Sequence, residues 1–173
     1  MILLDENKNK AGVVLFSKLV KLVPQKWLVY MYKHLPFKKF KNWVVYKAQN
    51  KFLVSVLGII TNEKGQVLLC KHVYRSEPWG VPGGWMELEK PETALTREIY
   101  EETNLKVQIT RLEQALYGQN PNRVDLVLSG RIIAGSFKPS AEISEIMYCT
   151  VDEWPEGLPA VQKRLIKEIL SKS

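Results

Sequence analysis

Apolar and polar positions recur with two different periods along this chain, and the change falls near residue 51. Before it, Val13, Phe16, Val20 and Val23 return every three or four positions, as do Trp27, Tyr30, Met31 and Leu35. That is helical spacing, and Pro24 and Pro36 suit helix starts or stops, so residues 11–48 read as two or three short amphipathic helices. After it, FLVSVLGIIT is the continuous apolar run of a buried strand, NEKG is a turn, and QVLLCKHV is expected to fold back as a hairpin partner. YRSEPWGVPGG reads as a loop. PETALTREIYEET predicts a helix with Pro91 in its first turn and Ala94, Leu95 and Ile99 as a narrow apolar face. LKVQITRLEQALYG and RVDLVLSGRII read as strands joined by the turn QNPN, SEIMYC as a short strand, and PAVQKRLIKEIL as a closing amphipathic helix. Strands interleaved with two helices make this an α/β domain.

Charge sharpens the boundary. Residues 1–51 carry 11 lysines against Asp5 and Glu6, a balance of +9, whereas residues 52–173 balance at −2. The chain therefore divides into a basic helical extension, 1–51, and an α/β domain, 52–173. Cys70 and Cys149 sit in strand-like runs and read as buried thiols, with no disulfide or metal-knuckle spacing. Asp5 and Glu6 precede the apolar stretch Ala11–Phe16, which ends at Lys18, so no secretory leader is expected. No apolar run approaches the roughly 18 residues of a membrane span. A cytoplasmic address follows as the expectation.

The chemistry concentrates in PGGWMELEKPETALTREIYEETNL, residues 82–105. On the expected helix Glu98, Glu101 and Glu102 stand at i, i+3 and i+4 and share a face. Like charges so placed oppose the helix by several tenths of a kcal/mol per close pair, and Arg97 offsets part of this. A hard divalent cation removes the conflict, and the glycine pair lets backbone carbonyls approach the same ion. Mg²⁺ held by few carboxylates is commonly completed by substrate phosphates, which points to phosphate-ester or diphosphate chemistry. The competing reading is a surface helix whose glutamates face water.

Gly83, five residues, Glu89, seven residues, then Arg97-Glu98-Ile99-Tyr100-Glu101-Glu102-Thr103-Asn104-Leu105 resembles the Nudix box, G-x5-E-x7-R-E-U-x-E-E-x-G-U with U aliphatic. Asn104 replaces the glycine after the helix and is the second choice for a left-handed position. GGWMELEK is one residue shorter than the family's G-G-x-x-E-x-G-E, so Glu87 and Glu89 both stand open for the acidic place. The resemblance implies an α/β/α sandwich with a mixed sheet and hydrolysis of a nucleoside diphosphate linked to a second moiety. By that resemblance Glu101 and Glu102 ligate Mg²⁺ or Mn²⁺, Glu98 is a further ligand or the water-orienting base, Gly83 contributes its carbonyl, and Arg97 orients a glutamate. Another acidic residue is expected before the penultimate strand, with Glu145 the best match and Glu142 second.

Candidate substrate contacts are Arg75 and Trp79, with Tyr74, ahead of the glycines, and Tyr117 and Arg123 around the turn containing Asn120 and Pro121. A proline sixteen positions beyond Leu105 matches the ADP-ribose-cleaving branch, which puts ADP-ribose or a nucleotide-sugar ahead of a nucleoside triphosphate or an RNA 5′ end. His34 and His72 offer no metal-ligand spacing and read as structural. The alternative is a non-catalytic Nudix-fold sensor or scaffold that binds a nucleotide. Such modules usually lose one of the three helix glutamates, and all three are present here. Three readings compete for residues 1–51. They pack on the domain or in a homodimer, they lie on an anionic membrane through Lys18, Lys21, Lys26, Lys38, Lys39 and Lys41 with Phe16, Trp27, Phe37 and Trp43, or they contact RNA.

Overall fold

The computed structural model describes residues 23–34 and 38–172, which divide into two compact units, one ending at Lys51 and the next beginning at Phe52. In the first unit lie α1, Gln25–His34, and α2, Lys38–Ala48. Val13, Phe16, Lys18, Val20, Lys21, Leu35 and Phe37 lie outside the described residues.

The second unit holds β1 (Leu53–Thr61), β2 (Val67–His72), β3 (Trp79–Gly80), β4 (Gly83–Trp85), α3 (Pro91–Thr103), β5 (Leu105–Gly118), β6 (Arg123–Gly135), β7 (Ile143–Cys149) and α4 (Ala160–Leu170). All seven strands form one sheet, with the path β3-β2-β1-β6-β5, β4 on β1 and β7 on β2. β1 runs parallel to β6 from Leu53↔Arg123 to Thr61↔Arg131, and the other pairings are antiparallel, so the sheet is mixed. Side-chain alternation along the central strands sends Val56, Ile60, Leu68 and Leu128 to one face, where Ala94, Leu95 and Ile99 of α3 cover them. Ile59, Val67, Leu69 and Val127 face the other way, under Leu165, Ile166 and Ile169 of α4. The result is a three-layer α/β/α sandwich.

Two expectations need correction. The hairpin between β1 and β2 pairs only at its base, Thr61↔Val67, where Asn62 Oδ1 accepts from the amides of Lys64 and Gln66 at 3.0 Å. Beyond that point β2 leaves β1 and pairs along its length with β7, while β4 takes up the vacated edge of β1 at Ser55, Val56 and Leu57. YRSEPWGVPGG is therefore not a loop throughout. Trp79–Gly80 pairs with Lys71 and Cys70, and Gly83–Trp85 with β1. The exit from α3 follows expectation. Asn104 adopts φ 62°, its amide bonds Tyr100 O at 2.8 Å, and its Nδ2 donates to Ser136 O at 3.0 Å.

Asn104→Gly is expected to leave unfolding free energy within about 0.5 kcal/mol of the native value, whereas Asn104→Ala should lose roughly 1–2 kcal/mol because it gives up the donation to Ser136 O without gaining glycine's freedom in the left-handed region. Urea unfolding of the two variants checks this.

Candidate active site

The site is built on α3 and on the β4 segment that runs beneath it. The apolar face of α3 is fully buried at Ala94, Leu95 and Ile99, which turns Arg97, Glu98, Glu101 and Glu102 toward β4 and the solvent edge. The Arg97 guanidinium gathers three carboxylates. Its Nη2 and Nε donate to Glu89 Oε1 at 2.7 and 3.1 Å, and its Nη1 donates to Glu98 Oε1 at 2.8 Å and Glu101 Oε2 at 3.2 Å. A fifth donation, from Nη2 to Trp85 O at 3.3 Å, ties the same side chain to β4. These partners, Glu89 foremost, raise the Arg97 pKa above its already high value. Of the two acids left open by the shortened loop, Glu89 is the one Arg97 holds, and Glu87 is exposed.

Each glycine of the pair has its own task. Gly83 sits opposite Leu57 at φ +148°, and a Cβ there would overlap the Val56 carbonyl oxygen and stand 3.0 Å from Leu57 Cα. Gly84 leaves the space in which the Glu98 carboxylate lies, since a Cβ on it would come within 2.8 Å of Glu98 Oε1. Gly83 also donates its N–H to Glu102 Oε2 at 3.4 Å.

Glu102 differs from its neighbours on the helix. It is 7% exposed, whereas the Glu101 side chain is 59% exposed and reaches solvent. Burial chiefly, with the negative charges of Glu98 and Glu142, pushes the Glu102 carboxyl up to about 8, against lowering by Gly83 N–H and Arg75. Three groups named from sequence therefore converge on this carboxyl: Glu98, Glu142 and Arg75. Tyr74 Oη donates to Glu142 Oε2 at 3.4 Å, and the Arg75 guanidinium lies 5.6 Å from the Tyr74 ring centroid.

Other candidates fall elsewhere. Glu145 pairs across the sheet with Lys71 at 2.9 Å. It shares strand parity with Met147 and Cys149, which pack on the α4 side, so it lies on the sheet face opposite α3. Of the two acidic candidates, Glu142 is the one whose charge reaches Glu102. Trp79 is 5% exposed and packs among Leu158, Leu165 and Ile166, which leaves no ring face for a base. Tyr117 donates to Asn122 Oδ1 at 2.7 Å and meets Phe52 edge-on, and Arg123 Nε donates to Asp125 Oδ1 at 2.8 Å. Both are thus engaged at the Leu53 end of β1, and the structure does not bring them to the glutamates.

Sequence reasoning missed the buried Ser55–Asp125 hydrogen bond that anchors Arg123. An aspartate inside the apolar run RVDLVLSG was the available signal. His72 is buried, and neither ring nitrogen has a hydrogen-bond partner. Burial, helped by Arg75, lowers its pKa to about 4, so it is neutral at pH 7.

A three-layer sandwich whose acid-rich helix is locked to one guanidinium over a glycine pair is the arrangement that the Nudix resemblance implies. The NUDIX domain family matches residues 51–169, and the chain belongs to that family. It is 32% identical over 109 residues to a MutT-like protein of Streptomyces ambofaciens, covering 62% of this chain and 70% of that one. The fold is similar to that of an ADP-ribose pyrophosphatase from Streptococcus suis, with TM-score 0.59 and 24% identity over 71% of this chain and 94% of the other. It is similar also to a UDP-X diphosphatase, with TM-score 0.63 and 18% identity over 94% of this chain and 92% of the other. The second likeness covers more of the chain than the Phe52–Ser173 unit alone.

The two glycines separate stability from activity. Gly83→Ala is expected to cost roughly 3 kcal/mol or more, since the obstructing atoms are backbone. Gly84→Ala meets only the end of a flexible side chain, so stability should stay within about 1 kcal/mol while displacement of Glu98 lowers kcat at least roughly tenfold. Thermal unfolding beside steady-state kinetics reads both.

Glu102 gives the metal-free protein a pH dependence. Its folded pKa of about 8 lies above the ordinary 4.5, so the folded chain holds a proton the unfolded chain has released. That stabilisation is complete below about pH 4.5 and is lost as pH rises through 8. His72 titrates below this range and does not oppose it above about pH 6.5. With chelator present, stability should fall by on the order of 2–3 kcal/mol between pH 6.5 and 9, and Glu102→Gln should abolish the fall. Denaturant titrations across this range measure it.

Proposed function

We propose that residues 52–173 hydrolyse the diphosphate linkage of a nucleoside diphosphate joined to a second moiety, with ADP-ribose or a nucleotide-sugar as the preferred class. A nucleoside triphosphate or an RNA 5′ end is the lesser choice. The reading rests above all on Arg97 holding Glu89, Glu98 and Glu101 while Glu102 lies buried beside the Gly83 amide. The names of the two structural relatives, an ADP-ribose pyrophosphatase and a UDP-X diphosphatase, agree with this substrate class.

Among the described residues no three carboxylate, imidazole or thiolate groups are already gathered to hold a metal ion, but the donor types, carboxylate oxygens beside a glycine cradle that a Cβ would fill, suit a hard divalent cation, Mg²⁺ with Mn²⁺ as substitute. Glu98, Glu101 and Glu102, with the Gly83 carbonyl, would hold it. When bound, such a cation neutralises diphosphate charge and activates a water.

The remaining chemistry belongs to the chain. Arg97 fixes the Glu98 carboxylate in the space left by Gly84, where it is oriented to accept the proton of an attacking water. Burial of Glu102 excludes bulk water from its side of the site. Arg75, placed near Glu102 and Glu142, supplies positive charge toward a phosphate oxygen. Glu142 takes the role of the additional acidic residue.

The test is release of nucleoside monophosphate from ADP-ribose, nucleotide-sugars and nucleoside triphosphates, with Mg²⁺, Mn²⁺ or chelator. One diphosphate class should turn over only with metal, and Glu101→Gln and Glu102→Gln should each lower kcat at least roughly a hundredfold. Arg97→Gln should fall comparably, and Trp79→Phe should leave KM unchanged. Turnover that persists in chelator, or in Glu102→Gln, would overturn the assignment.

A further inference from the structure

The site residues named above all lie within residues 52–173, whereas residues 1–51 carry the charge of the chain. Between Asn7 and Lys51 there are 11 lysines, no arginine and no acidic residue. Its two described helices also expose large apolar side chains: Trp27 is 64% exposed, Tyr30 60% and Tyr46 62%, with Val29, Phe40 and Val45 exposed as well. The aromatic rings lie beside cations and one another. Lys51 Nζ lies 4.2 Å from the Tyr46 ring centroid, and the Phe40 and Trp43 rings stack at 5.9 Å. On α2, Phe40, Trp43 and Lys47 follow helical spacing along one face, with Lys38, Lys39 and Lys41 around it.

We propose that α1 and α2 form a docking surface for an anionic phospholipid bilayer. Exposed aromatic and valine side chains would enter the boundary between headgroups and acyl chains, and lysines would meet the phosphates. At 10 and 11 residues the helices span about 15 Å, half the hydrocarbon thickness, so they lie in the interface and do not cross it. Tyrosine and tryptophan are the residues that favour this depth.

The chemistry separates this occupant from two others. RNA recognition favours the forked guanidinium, and the segment has none; nor does a phosphate backbone bury valines. A second copy would bring an identical +9 segment against the first, which opposes a self-complementary contact. Anionic lipid offers both opposite charge and apolar depth.

The test uses the full chain in flotation with phosphatidylcholine vesicles, with and without about one-third phosphatidylglycerol, at physiological and roughly threefold higher salt. Binding should require the anionic lipid, fall at least roughly tenfold at the higher salt, and fall as far in Lys38→Gln/Lys39→Gln/Lys47→Gln. Trp27→Ala/Phe40→Ala should weaken it further, and all variants should hydrolyse soluble substrate at the native rate. Equal binding to neutral vesicles, or no binding to anionic ones, overturns the proposal. So does tighter binding to a 5′-triphosphorylated RNA, or a dimer dissolved by the lysine variant with vesicle binding untouched. None of these outcomes depends on which substrate the hydrolase prefers.

Discussion

The edge where α3 meets β4 depends on one guanidinium shared among three carboxylates. Glu98 and Glu101 follow Arg97 at i+1 and i+4, and Glu89 comes from the segment before the helix, so a single side chain fixes both the helix face and the entry loop. This constraint works only because α3 does not depend on its own surface for stability. Each close pair of glutamates costs several tenths of a kcal/mol, whereas burying Leu95 and Ile99 contributes roughly 2 kcal/mol apiece. Packing wins by a wide margin, and the fold can carry a crowded acidic face that an isolated helix would not tolerate.

The second determinant is the edge of β1. Because β2 turns away after Thr61↔Val67 to pair with β7, β4 can lie against Ser55–Leu57 and carry the glycine pair beneath the helix. Gly83 is required by closeness to the Val56 carbonyl and Gly84 by closeness to Glu98. The glycines thus register the sheet to the helix, and the acid cluster exists only where those two elements meet.

Long periodic segments were legible. The bounds of α3, the β5–β6 hairpin and α4 follow from spacing, and Asn104 takes the left-handed turn its residue type suggested. What was hidden was non-local. Strands of two or three residues, such as Trp79–Gly80 and Gly83–Trp85, are too short to show a period. The partner of β2 lies more than seventy residues away, and no local pattern names it. Glu145 is the best match in sequence to the expected acidic position, but a side chain's face depends on register, and the pairing of β2 with β7 shifts at Lys71/His72. Trp79 lies in the segment that reads as a loop in sequence, and the short pairing with Lys71 buries it.

The uneven charge of the chain has a consequence for catalysis. A cluster of carboxylates repels a diphosphate at the distances where attack must occur, and a buried one repels it more strongly because little water screens it. Arg97 has no donor left for a phosphate oxygen, since its N–H groups are engaged by Glu89, Glu98, Glu101 and Trp85. Arg75, near Glu102, adds one positive charge. The lysines of residues 1–51 follow a separate logic, because a screened exposed charge acts over about 8–10 Å and serves a surface better than a bond. The acid cluster and the lysines thus belong to separate parts of the sequence, and the +7 of the whole describes neither.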